Sequence, residues 1–439
     1  MYVINLHFTD EFKKKKCKFV ERIKSNELMD LYLIVFASGN YKAEKTYMCH
    51  KDLFIELEKH FTLHMIPYTE TEQIPSNAYK LVFIADGCVA DIAIANFSSF
   101  PYPITLLTDG LENSLSAALE IATWVRSKDM LVKIIHGRPT EMAKQVLLHY
   151  HAFIGKRNLK GKRIGVIGTP APWLISSHAD YLLASRRWGV SYIDIPMEAV
   201  YNHFNTITDD EIGLEASLLA TRAQACQDAA PEDLLRDMRL YKAIRRVCEE
   251  EQLDALTLSS FSLMQDLSTN GNLAVALLND EGIPAGNEGD LQAIMTLLMV
   301  HELTGQPGFI ANLAFVDTDK NEIILAHDTI STKMTDSFIL RDQNDVPGSM
   351  AIQGILHEEE ITLFKCGSEC LDEYYISSGY LAENTNMVSN CRTQLRIKID
   401  KPATYFLRNP LGNHHILIKG NHCSMIQEFM QQNRCKLRE

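Results

Sequence analysis

The stretch Asn279–Asn312, NDEGIPAGNEGDLQAIMTLLMVHELTGQPGFIAN, decides how this chain is read. Gly282, Pro284, Gly286 and Gly289 break the backbone, and Leu291–Leu303 then runs as an apolar helix that Gly305 and Pro307 end. Glu288 and Asp290 stand between turn and helix. Acidic side chains at a helix N-terminus lie in a favourable field, and sites on α/β proteins are commonly built at such a turn. The plainer alternative is that the two acids only cap the helix.

Working outward, the chain has 439 residues, enough for two or three domains at roughly 150 residues each. Hydrophobic residues make up 46% and charged residues 23%, values of an ordinary globular protein. No apolar run approaches the roughly 18 residues of a membrane span, and Lys13–Lys16 has no apolar stretch behind it, so neither a span nor a secretory signal is expected. A cytoplasmic protein is the expectation. The formal charge of −13, with Lys13–Lys16 as the one dense basic run, argues against nucleic-acid binding. Ten cysteines are scattered, and only Cys366 and Cys370 lie close, with no second pair or histidine spacing to make a zinc site. Reduced thiols are expected.

Residues 1–155 alternate short apolar runs (YVINLHF, LYLIVFA, KLVFIAD, ITLLTDG, LVKIIHG) with helical segments such as SLSAALEIATWVRSKD, the pattern of a parallel sheet with crossover helices. Asp86-Gly87, Asp109-Gly110 and His136-Gly137 close three of these runs, where ligands collect in such sheets but where turns also occur. A second α/β domain is expected over 156–310, opening with RIGVIG and WGVSYIDIP and continuing through helices in 213–252. After GVIG come Pro170 and Pro172 in place of a third glycine, so no dinucleotide fingerprint is made. From 311 to 439 short alternating runs split by turns predict a β-rich domain, closed by the helix SMIQEFMQQNRCKL.

Two places in that last domain concentrate polar chemistry: AHDT, with His327 and Asp328, and NPLGNHHILIKGNH, with Asn413, His414, His415 and His422. Imidazole together with carboxylate suits manganese, iron or zinc, so Glu288 with His414 makes a partial metal site; ordinary polar loops are the other reading.

The central stretch, IILAHDT, NCRTQ and NPLGNHHILIKGNH, with LKGKRIGVIGTPAPWLI and SYIDIP, together resemble the L-fucose and L-arabinose isomerase superfamily, in particular short, divergent L-fucose isomerase-like proteins. The resemblance runs from about residue 80 onward. It implies two Rossmann-like doubly wound α/β domains followed by a C-terminal antiparallel β-barrel domain, assembled as a homo-oligomer, a trimer or hexamer, whose subunits share active sites. It implies a divalent cation, commonly manganese, held by Glu, Asp and His against a sugar's carbonyl and hydroxyl oxygens, and proton transfer through an enediol. Glu288 falls on the glutamate, His414 on the histidine and Asn312 on the aspartate. Glu288 and Asn312 are thereby the implied catalytic pair, and Asp290, His415, Arg392 and Asn413 the implied sugar contacts. The chain departs from its relatives in carrying Ser259, Ser260, Phe261 and Ser262 for Arg-Cys-Phe-Asp, and Asn272, Asn287 and Asp328 for Cys. An Asn at 312 brings no charge to a cation. A fucose- or arabinose-like aldose–ketose isomerase is therefore expected, and a sugar-binding or regulatory protein on the same scaffold is the alternative.

Overall fold

The computed structural model describes residues 28–39, 41–343 and 346–439. The run YVINLHF and Lys13–Lys16 lie outside them. The chain divides into two compact units, Met1–Phe153 and Ile154–Glu439; the segments 156–310 and 311–439 lie together in the second, on one core that runs from Ile167 to Leu417.

The first unit is a five-stranded parallel sheet in the order β2-β1-β3-β4-β5. Its strands are β1 (Met29–Phe36), β2 (Phe61–Pro67), β3 (Lys80–Ile84), β4 (Ile104–Leu107) and β5 (Val132–Ile135). The inner strands are continuous apolar runs because both faces are covered: Leu31, Leu33, Leu81 and Phe83 pack into one buried cluster and Ile34, Phe36, Val82 and Ile84 into another. The edge strand β2 was not foreseen. Its sequence, FTLHMIP, mixes Thr, His and Pro among apolar residues, and all but Phe61 are partly or well exposed.

In the second unit β6 (Arg163–Ile167), β7 (Ser191–Ile195), β9 (Ala255–Leu258) and β10 (Ala285–Asn287) form a parallel sheet, ordered β10-β9-β6-β7. The region 213–252 reads as helix, yet between the helices Asp209–Arg222 and Pro231–Glu250 the segment Ala225–Gln227 is a short strand, β8. It pairs with β13 (Ser337–Gln343), which is joined in turn to β14 (Val346–Ile355), so a tertiary partner overrides the local helical pattern.

The remaining strands are β11 (Phe309–Asp317), β12 (Glu322–His327), β15 (Glu359–Gly367), β16 (Glu373–Asn384), β17 (Thr393–Ile399), β18 (His415–Lys419) and β19 (Lys436–Leu437). Six of them run antiparallel in the order β15-β18-β11-β12-β17-β16, and the pairing of β15 with β16 closes the ring into a barrel. The mixed α/β architecture with a C-terminal antiparallel barrel is thus what the sequence leads one to expect.

The helix Leu291–Thr304 joins the parallel sheet to the barrel, packing on β6, β9 and β10 and on β15 and β18. That sandwiching is why it is apolar all round: Ile294, Met295, Leu297, Leu298, Met299 and Val300 are at most 1% exposed. Asp290 caps its start, accepting the Ala293 N–H at 2.7 Å, and Gly305 ends it at φ +68°.

Candidate metal centre

The site begins where β10 stops. Glu288 and Gly289 both adopt left-handed backbone (φ +65° and +72°), turning the chain sharply before Asp290 starts the helix. The turn is pinned by the Ala171 N–H, which donates to the Glu288 carbonyl at 2.8 Å. Gly289 has no alternative here, because a Cβ would come within 2.4 Å of Pro170 Cα. A non-glycine residue held at positive φ is strained, and such strain concentrates at functional positions. The result is a Glu288 side chain at the carboxyl end of a parallel strand, 22% exposed.

The barrel rim supplies the rest. β11 pairs with β18 on one side, Ala311 facing His415, and with β12 on the other, Asn312 facing Ala326. This register sets His414, just before β18, and His327, the last residue of β12, on either side of β11 at one rim. Both are buried, 0% and 3% exposed, and their rings lie 5.7 Å apart. His414 Nε2 is 3.9 Å from Glu288 Oε2, and one ligand atom from each of Glu288, His327 and His414 lies within 4.8 Å of the other two. Neither histidine's Nε2 has a hydrogen-bond partner among the described residues. Two orphaned imidazole nitrogens facing one carboxylate are the arrangement a cation resolves, since buried polar atoms are otherwise nearly always satisfied. Glu288, His327 and His414 could therefore hold a metal ion.

His414 is set for that role. Its Nδ1 donates to Asp290 Oδ2 at 2.9 Å, which leaves the Nε2 lone pair facing Glu288. Asp290 is 2% exposed, and Lys365, fully buried in β15, stands 3.8 Å from its other oxygen. Burial pushes the Asp290 carboxyl up, but Lys365, His414 and the Ala293 N–H outweigh it and hold it well below the usual carboxylate range. Lys365 is shifted down by its own burial, which Asp290 only partly counters. At His327, Nδ1 is approached by the Asp328 N–H at 2.9 Å and by the Thr329 hydroxyl at 3.1 Å. The Asp328 N–H donates to Nδ1 and so places the ring proton on Nε2; ligation through Nε2 would need the other tautomer, with Nδ1 donating to Thr329 Oγ1 and the Asp328 N–H no longer bonded to the ring. Burial, with His414 adding, pushes the His327 pKa down to about 3, so the ring is neutral at pH 7.

The other residues singled out in the sequence fall elsewhere. The carbonyl oxygen of Asn312 accepts from the Asn413 amide at 2.5 Å, and Asn413 in turn accepts the Leu313 N–H at 3.2 Å, so this pair ties the β11 rim to the chain before β18. Asp290 spends both oxygens on the cap and on His414, which makes it an orienting residue here. His415, the neighbour of His414, goes to the opposite face, as strand alternation requires, and packs on Tyr375, Tyr405 and Phe406 while hydrogen-bonding Tyr405 at 3.2 Å. The guanidinium of Arg392 is committed to Asp342, at 2.6 Å to the carboxylate and 2.8 Å to the carbonyl. The expected sugar contacts Asp290, His415, Arg392 and Asn413 thus all have intramolecular partners, and His422 bonds the Lys419 carbonyl at 3.0 Å.

Two members of the site had no assigned role in the sequence reading. Lys365 is a lone Lys in the apolar run ITLFKCG, and a charged residue inside a strand that is otherwise core is itself the signal of a buried partner. Cys391 lies in NCRTQ, and burial, with Asp328 beside it and Glu288 nearby, pushes its thiol far up, so it stands neutral at the site's edge. Next to the Glu288 turn, the half-exposed Trp173 and Phe261 meet edge to face at 4.3 Å. Among the described residues no helix is long and apolar enough to cross a membrane. No protein-family model matches the chain, and neither does any curated protein.

Proposed function

We propose that this chain is a metal-dependent aldose–ketose isomerase-like enzyme acting on a fucose- or arabinose-like sugar. The observation that carries the proposal is the Glu288 carboxylate facing two unpartnered, buried imidazole nitrogens at the junction of a parallel sheet and a barrel rim. When bound, the cation would polarise the adjacent carbonyl and hydroxyl oxygens of an open-chain sugar. Glu288, His414 and His327 would hold it. Glu288, partly exposed, would serve as the base: it would take a proton from C2 and deliver one to C1 through an enediol, while the hydroxyl proton passes from O2 to O1. Asp290 fixes the His414 ring, and Lys365 keeps Asp290 ionised.

Two further features support the scaffold that the sequence resemblance implies. The sheet orders β2-β1-β3-β4-β5 and β10-β9-β6-β7 are compatible with doubly wound domains, and Glu288 follows a strand's carboxyl end, where such folds bind ligands. A homo-oligomeric cytoplasmic assembly belongs to the same reading. The alternative, a sugar-binding or regulatory protein without turnover, is favoured by Asn312, whose oxygen is taken by Asn413 and which cannot act as a base.

The test is elemental analysis of the purified protein beside a Glu288→Ala variant, followed by a screen of aldoses with added divalent metal. About one metal per chain, lost in the variant, with ketose formed by the wild type, is expected. Metal without turnover would favour the binding-protein reading, and no metal in either sample would overturn the proposal.

A further inference from the structure

We infer that His327, in place of Asn312, is the third protein donor to the metal, and that the resulting two-imidazole, one-carboxylate set selects a zinc-class ion (zinc, cobalt or iron(II)) over manganese or magnesium. This rests on the metal reading of the site given above.

Three observations converge. First, the oxygen of Asn312 is occupied: it accepts the Asn413 amide at 2.5 Å, and Asn413 spends its own oxygen on the Leu313 N–H, so turning Asn312 toward a cation would break the link between β11 and the segment before β18. Second, His327 brings to the same place a buried Nε2 with no partner, within 4.8 Å of the Glu288 and His414 ligand atoms. Its Nδ1 accepts the Asp328 N–H at 2.9 Å and has the Thr329 hydroxyl at 3.1 Å; ligation exchanges the first contact for an Nδ1–H that the Thr329 oxygen accepts, the outer contact that metal-bound histidines ordinarily have. Third, the charge is low. Glu288 is the one anion among the three donors, and the negative charge of Asp290 behind His414 is answered by Lys365 at 3.8 Å.

Hard ions such as magnesium and manganese are held by carboxylate, carbonyl and water oxygens, and they rely on ligand charge. Imidazole suits zinc, iron, cobalt and nickel, and two histidines with one glutamate, leaving positions open, is an established donor set of catalytic zinc. Exchanging an oxygen ligand for His327 therefore moves the preference toward the borderline ions. Glu288 is 22% exposed, so solvent reaches this carboxylate.

The experiment titrates metal-stripped full-length protein with zinc and with manganese against a chromophoric chelator, for the wild type and for His327→Asp. Zinc binds most mixed sites more tightly than manganese, so the quantity read is the change in the zinc-to-manganese affinity ratio between the two proteins. The expected result is a ratio that falls by about tenfold or more in His327→Asp, through weaker zinc and stronger manganese binding. An unchanged ratio would overturn the assignment of His327 and leave the metal reading standing; a wild type that binds neither ion would overturn that reading and the inference with it. Because His327→Asp changes a buried position and could fail to fold, the wild type alone is also loaded with copper(II) and examined by pulsed electron paramagnetic resonance. Two coordinated imidazoles are expected, and one would overturn the inference.

Discussion

Replacing Asp290 by Ala removes three things that the structure places on one side chain. The helix Leu291–Thr304 loses its cap, the Ala293 N–H accepted at 2.7 Å, which costs about 1 kcal/mol. The buried Lys365 ammonium loses the carboxylate 3.8 Å away, and breaking a buried pair by deleting one partner costs about 3–5 kcal/mol. The upper end is a ceiling, because Lys365, already shifted down by burial, can shed its proton and stay neutral. The sum is about 4–6 kcal/mol, read as the loss in unfolding free energy by urea denaturation. Since most of that is a stranded cation and not a lost attraction, Lys365→Met in the Asp290→Ala background should restore at least about 2 kcal/mol. The third loss falls on His414, whose Nδ1 no longer has an acceptor at 2.9 Å, and metal affinity should drop about 10- to 100-fold in the same variant. An Asp290→Ala protein destabilised by less than about 1 kcal/mol, or a double variant no more stable than the single one, would refute the account of Asp290 and Lys365 as a buried pair.

Other outcomes follow from single positions. Gly289→Ala puts a Cβ at 2.4 Å from Pro170 Cα at φ +72°, against backbone that cannot swing aside, and should cost about 3 kcal/mol or more in urea denaturation; a loss under about 1 kcal/mol would mean the turn is not held as described. Asp237, fully buried, has its carboxyl pushed by burial up to about 7, and only the Met350 N–H at 2.9 Å, Thr269 and Arg236 hold it from rising further. The folded protein therefore keeps a proton that the unfolded chain releases above about pH 4, so the residue's favourable contribution is complete below about pH 4 and is lost as the pH rises through 7. Asp237→Asn should flatten the stability profile between those limits and raise stability at pH 8 by on the order of 2–4 kcal/mol, whereas a variant as pH-dependent as the wild type would contradict the assignment. His415 shows the opposite slope. Burial pushes it down to about 3, so it folds neutral, and its contribution, present above about pH 6.5, is lost as the pH falls toward 3, by a little over 1 kcal/mol per pH unit. His415→Phe should lessen that acid sensitivity, as thermal unfolding at pH 4.5 and 7 would show.

Much of the fold was legible because it depends on local pattern. The apolar run Leu291–Leu303 between acids and Gly305 is a helix whichever partners it has, and the inner strands of the first sheet are apolar runs too short for helices. What escaped was set by partners far away in the chain. FTLHMIP lacks the alternation or continuous apolarity of a strand because it is an edge, and Ala225–Gln227 is a strand only because β13 lies beside it. At the site, Glu288 and His414 came from the sequence through the resemblance, and the structure brings them together at 3.9 Å. His327 was visible as a histidine at the end of an apolar run, but nothing local says that β12 ends at the rim where His414 begins. His415 carried a local warning, since the residue after a site histidine on a strand points the other way. The commitment of Arg392 to Asp342, 50 residues away, could not have been read from either segment.

The most direct test of the central claim follows the proton. Purified protein reconstituted with zinc or manganese is incubated with a panel of open-chain-accessible aldoses in D2O, and proton NMR records both ketose formation and deuterium entering next to the carbonyl. If Glu288 moves a proton between adjacent sugar carbons, at least one sugar gains deuterium at that position with the wild type and none does with Glu288→Gln, although that variant keeps its fold. No exchange into any sugar by the metal-loaded wild type, or equal exchange by Glu288→Gln, would contradict it.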